Sequence, residues 1–123
     1  MLTYTWIALG GAVGACLRYL LGTTVQRLAA SGFPWGTFVV NLVGCVAFGL
    51  LAGLAEHRGL LAGTGRVFLL VGVLGGFTTF SSFGFETVQL LRGGQMMAAT
   101  LNVAGQVGLG IAGLWIGFLL ARA

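Results

Sequence analysis

The chain has 123 residues, of which 7% are charged and 58% hydrophobic, and its formal net charge is +4. Its charges are six Arg and two Glu, whereas an ordinary soluble domain carries about 25% charged residues, so this chain cannot cover a water-facing surface. With a mean hydropathy of +1.03 and no basic run to follow a phosphate backbone, composition excludes a soluble enzyme, a nucleic-acid binder and a disordered chain, and leaves a small integral membrane protein.

A helix crossing the hydrocarbon needs about 20 mostly apolar residues, and the charges divide the chain into four such stretches. The predicted spans cover residues 4–26, 35–55, 67–90 and 95–121, as one four-helix transmembrane domain over residues 1–123. The first lacks the basic start and the small-residue cleavage site of a signal peptide. Ser31-Gly32-Phe33-Pro34 reads as a turn, with Pro34 placed to start the second helix. Glu56-His57-Arg58-Gly59 caps the second span, and Arg92-Gly93-Gly94 ends the third. His57 stands alone in that loop and is expected to be solvated. Connectors this short predict an up-down bundle of antiparallel neighbours.

Arg in the loops sets orientation. One side carries Arg58, Arg66 and Arg122; the other carries Arg27, Arg92 and, if counted, Arg18. So even a distribution does not choose a direction. It predicts dual topology, with copies inserting both ways and pairing as an antiparallel homodimer. Small residues let helices approach in lipid, and Gly10 with Gly14, Gly49 with Gly53, and Gly113 with Gly117 form GxxxG pairs.

Polar groups inside a span are costly and are functional candidates. They are Arg18, Thr37, Asn41, the stretch Thr78-Thr79-Phe80-Ser81-Ser82, Asn102 and Gln106, with Glu86 at the edge of the third span. Thr37 and Asn41 share one helix face, as do Asn102 and Gln106. These neutral groups could donate hydrogen bonds to an anion in a polar track, or tie helices together. The third span runs Gly75-Gly76-Phe77-Thr78-Thr79-Phe80-Ser81-Ser82-Phe83. Paired Gly followed by β-branched Thr is poor helix material, which predicts a break here and freed carbonyls of the kind that hold alkali cations. Phe80 and Phe83 face the same way beyond it. Their positive ring edges could solvate a small anion, or the rings could pack against lipid or protein. Arg18 either snorkels to the interface or makes an electropositive vestibule. Both Glu sit at span ends, which argues against a proton-coupled carrier. Cys16 and Cys45 read as packing residues.

Three segments together resemble the Fluc family of fluoride channels, also called CrcB. Gly10-Gly11-Ala12-Val13-Gly14-Ala15-Cys16-Leu17-Arg18-Tyr19 resembles its GGxxGAxxRY start. Gly36-Thr37-Phe38-Val39-Val40-Asn41-Leu42-Val43-Gly44 resembles its GTxxxNxxG second helix, and Gly75 to Phe83 resembles its GGxTTFSxF third helix. The resemblance implies a dual-topology homodimer in the bacterial cytoplasmic membrane, with two antiparallel pores that pass F⁻ passively, exclude Cl⁻ and relieve fluoride toxicity. It implies a pore lined by Asn41, Phe80, Phe83, Ser81 and Glu86, with Arg18 near the aqueous vestibule. It also implies a structural, untransported Na⁺ at the dimer centre, held by the backbone carbonyls of Gly75 and Thr78 from both subunits. One departure stands out: where the family often has Tyr and, four residues on, Ser in the fourth helix, this chain has Asn102 and Gln106. The competing readings are a small dual-topology multidrug or cation transporter, which would need a Glu in the first span that is lacking here, and a purely structural membrane protein.

Overall fold

In lipid a backbone must satisfy its own hydrogen bonds, so apolar runs joined by short connectors form helices. The computed structural model describes residues 1–123 and holds four helical stretches long and apolar enough to cross a membrane, Leu2–Ala29, Trp35–Arg58, Gly63–Arg92 and Met96–Leu120. The first is α1 (Leu2–Ala29), the second α2 (Trp35–Arg58). The third is composite: a single turn α3 (Gly63–Arg66), a π-helical segment Val67–Leu74, a short α4 (Gly75–Phe77), and α5 (Phe80–Arg92). The fourth is α6 (Met96–Leu120). Three of the four spans run a few residues further than hydropathy alone predicts at one or both ends, because a helix does not stop at the hydrocarbon boundary. At about 1.5 Å per residue, the 28 residues of α1 outreach a core roughly 30 Å thick.

The connectors are built as the sequence suggests. Ala30 adopts a left-handed conformation to end α1, and Pro34 precedes the first residue of α2. Gln26 holds this turn from within α1. Its Nε2 donates to the carbonyls of Ser31 (2.9 Å) and Phe33 (3.1 Å), and its Oε1 accepts from the Gly36 amide (3.0 Å). Gly59 ends α2 at φ +61°, where a glycine carries no Cβ penalty.

Packing follows the small residues. α2 lies along α6, and α1 lies along the π segment and α4. Gly10 and Gly14 face the third span so closely that a Cβ on Gly10 would sit 2.6 Å from the Phe68 carbonyl oxygen, and one on Gly14 would overlap that of Val73. Gly49 and Gly117 do the same across the α2–α6 contact, against the carbonyls of Leu114 and Val46. Each of the three GxxxG pairs therefore lies at a helix contact. Only 20 of 123 residues are buried in the single chain, as expected where lipid rather than water meets the outer faces.

The break expected in the Gly75–Thr79 stretch is present: Thr78 and Thr79 are extended, while Gly75 and Gly76 stay helical. Gly76 instead serves close packing, since a Cβ there would lie 2.6 Å from the Gly11 carbonyl oxygen. Glu86 lies inside α5, which runs on to Arg92, and is half-buried and hydrogen-bonded. His57 is exposed but not alone. It ends α2, accepts from Arg122 Nε (3.2 Å) and stands edge-on to Phe118, over which the Arg122 guanidinium lies. Cys16 is exposed on the single chain rather than packed within it, while Cys45 faces Gly110.

Candidate functional site

The break in the third span organises the site. The Thr78 amide still donates to the Leu74 carbonyl (3.0 Å), but past it the extended backbone leaves the helical ladder, so the groups that follow need other partners. The Thr79 amide, which an unbroken helix would aim at the Gly75 carbonyl, donates instead to Asn41 Oδ1 (2.8 Å). The Ser82 amide, which would have served the Thr78 carbonyl, donates to Thr79 Oγ1 (3.2 Å), so that Thr79 caps α5. The helical donors of the Gly75 and Thr78 carbonyls are thus both diverted. Gly44 in α2 leaves the room for this: a Cβ there would overlap the Thr78 methyl group.

Asn41 brackets Thr79, since its Nδ2 also donates to the Thr79 carbonyl (3.0 Å). The same nitrogen donates to Gln106 Oε1 (2.7 Å). Gln106 Nε2 then donates to Asn102 Oδ1 (2.9 Å), and Asn102 Nδ2 donates to Thr87 Oγ1 (3.0 Å). The Thr87 hydroxyl closes the series on the Phe83 carbonyl (2.8 Å). Helical spacing puts Asn102 and Gln106 on one face of α6; folding brings that face to Asn41 on α2 and to Thr87 on α5.

Two cavities meet at Thr79. One, of about 590 Å³, is a polar vestibule whose lining includes Arg18, Thr37, Thr79, Ser82 and Glu86. Within it Thr37 Oγ1 donates to Glu86 Oε1 (2.6 Å), while Glu86 Oε2 is buried without a partner. The other, of about 370 Å³, is a more apolar groove lined by Asn41, Thr78, Thr79, Phe80, Phe83 and Gln106 among others. The Phe80 and Phe83 rings lie 5.4 Å apart, tilted by 52°. Phe80 is 82% exposed on the single chain, and Ser81 and Gly75 are also exposed.

All the polar residues singled out in the sequence reach one of these cavities or the network between them, except Ser81. Its hydroxyl stands 3.4 Å from Thr79 Oγ1 at the exposed start of α5. Thr37 and Asn41 share a helix face yet serve different partners, the vestibule carboxylate and the break. Thr87 was missed. Its one signal is its position four residues after Phe83, which lets a Thr hydroxyl bond back to the carbonyl a turn earlier.

Residues 5–118 match the family described as CrcB-like protein, Camphor Resistance (CrcB). The chain is 45% identical over 117 residues to the "Fluoride-specific ion channel FluC" of Nitrosococcus oceani, covering 95% of this chain and 94% of that one. It is 49% identical over 116 residues to the protein of that name in Nitratidesulfovibrio vulgaris, covering 94% of each. It is 48% identical over 120 residues to that of a Thermus thermophilus strain, covering 98% of this chain and 95% of that one. The protein is a multi-pass membrane protein, and it belongs to the CrcB family.

Proposed function

We propose that this protein is a fluoride-selective ion channel, not an enzyme, which lets F⁻ leave the cytoplasm passively. The observation that carries the reading is the meeting of a polar vestibule and a Phe-lined groove at one helix break, in a chain whose relatives are named fluoride-specific channels. Fluoride is small and strongly hydrated, so a narrow pore must replace its water with fixed donors. Arg18 raises the local anion concentration in the vestibule. Beyond Thr79, side-chain donors and the positive edges of Phe80 and Phe83 take over, with Ser81 and the first turn of α5 at hand. Neutral ligands hold an anion loosely enough to release it, which conduction requires. Thr37 donates to Glu86 Oε1 within the vestibule, which restrains that carboxylate at the anion's entry. The membrane potential drives an anion outward at about 2.3 kcal/mol per 100 mV, so no chemical energy source is needed.

The working unit in this reading is an antiparallel homodimer in the bacterial inner membrane, with two pores. Phe80, 82% exposed on one chain, needs a second copy to enclose it, and the even Arg distribution permits both insertions. The Gly75 and Thr78 carbonyls, with their helical donors diverted, are hard oxygen ligands of the kind Na⁺ takes. A structural Na⁺ would be held there, where it would offset the freed carbonyl dipoles and join two copies.

The test is anion efflux from liposomes holding the purified protein, read with a fluoride electrode against a Cl⁻ control, with valinomycin and K⁺ balancing charge. Fast F⁻ efflux with silent Cl⁻ is expected. Equal efflux of both anions, or none from well-folded protein, would refute the channel reading.

A further inference from the structure

The geometry points to Gln106, and not Asn41, as the side-chain amide that offers its hydrogen to an anion in the Phe80–Phe83 groove, with Asn41, Asn102 and Thr87 as positioning residues that aim it. The identity of the anion rests on the fluoride reading above; the assignment of the donor rests on hydrogen-bond direction.

That direction is fixed at both ends. A backbone N–H can only donate, so the Asn41 atom that faces the Thr79 amide at 2.8 Å is its oxygen. Its nitrogen therefore carries the remaining contacts. An Asn amide has two hydrogens, and here one goes to the Thr79 carbonyl (3.0 Å) and one to Gln106 Oε1 (2.7 Å). Asn41 has none left. Because the Gln106 oxygen faces Asn41, its nitrogen faces Asn102 Oδ1 (2.9 Å), and the Asn102 nitrogen faces Thr87 Oγ1 (3.0 Å). The Thr87 hydroxyl ends on the Phe83 carbonyl (2.8 Å), a group that can only accept. Turning Asn41 or Gln106 over would set oxygen against oxygen and nitrogen against nitrogen, and turning Asn102 over would set its nitrogen against that of Gln106.

Two amide hydrogens stay uncommitted, one on Asn102 and one on Gln106. Asn102 is fully buried at 0% exposure and does not line the groove. Gln106 is half-buried and lines it together with Asn41, Phe80 and Phe83. Of the two groove-lining amides, Asn41 and Gln106, Gln106 is the one with a hydrogen left over. The series also strengthens that donor, because accepting from Asn41 polarises the Gln106 amide. Asn41, fully engaged, holds the break and orients Gln106.

The experiment is NMR of side-chain amides in the full-length protein in detergent micelles, labelled with 15N at its two Asn or its four Gln. Sodium fluoride is titrated against sodium chloride at constant Na⁺, and a fluoride-flux assay is run on the same preparation. Fluoride is expected to shift the Gln106 side-chain resonance and to leave Asn41 in place, with chloride moving neither. In Gln106→Met, Asn41 loses its acceptor and regains a free hydrogen, so the fluoride-dependent shift should pass to Asn41. Should that variant fail to fold, Gln106→Ser releases Asn41 in the same way. A fluoride shift at Asn41 in the unaltered protein overturns the assignment, as does measurable flux with no shift at Gln106. A shift at Gln106 without flux would keep the donor assignment and remove the channel reading; neither shift nor flux would remove both.

Discussion

Replacing Asn41 by Ala tests whether its amide holds the helix break. The substitution removes three hydrogen bonds, of 2.8, 3.0 and 2.7 Å. It strands the Thr79 N–H and C=O, on a residue 9% exposed, together with Gln106 Oε1. Side-chain hydrogen bonds in membrane helices average about 0.6 and reach about 1.7 kcal/mol each. Three together give a loss of about 2 kcal/mol, with an upper bound near 5. Thr37→Ala, which removes the single bond to Glu86, should cost about a third as much. Unfolding in mixed detergent micelles measures the loss, and hydrogen exchange at the Thr79 amide localises it, because that proton should lose protection in Asn41→Ala and keep it in Thr37→Ala. If Asn41→Ala unfolds within about 0.5 kcal/mol of the unaltered protein, with Thr79 still protected, then the break is held by something else and the positioning of Gln106 through Asn41 fails with it.

Three further outcomes are expected. Phe80→Ile removes a positive ring edge from an exposed site and should cut F⁻ flux at least tenfold without unfolding the protein; undiminished flux would take Phe80 out of the pore. Gly49→Ala places a methyl onto the Leu114 carbonyl, forcing α2 from α6 at a cost of about 1–3 kcal/mol, whereas a stability equal to that of the unaltered protein would show that this contact is loose. Cysteines introduced singly in two of the exposed loops, Ser31→Cys and Ala62→Cys on a background lacking Cys16 and Cys45, should each be labelled from both sides of the membrane; labelling of each from one side only would exclude dual topology.

The number of spans, their order and their close approach were legible in the sequence. Each depends on a local quantity: the length of an apolar run, a Gly-Phe-Pro turn, a Gly every fourth residue. The candidate polar residues were legible for a related reason, since a hydrophobic run makes every polar side chain conspicuous. The pairing of Thr37 with Asn41 and of Asn102 with Gln106 followed from helical period alone. What each of them does was not legible. Whether Thr37 serves Asn41 or Glu86 depends on contacts between residues far apart in the chain, and so does the order of the amides from Thr79 to Phe83. The place of the break was decided the same way. By propensity Gly75-Gly76 is the weaker helix, yet α1 packs closely against Gly76 within a helical turn, while Asn41 offers Thr79 the peptide-like partner that makes an extended backbone tolerable in mid-span. Composition and period determine which groups must be buried in lipid; only the packed helices decide which donor meets which acceptor, because a hydrogen bond is specified by two positions and the sequence supplies them one at a time.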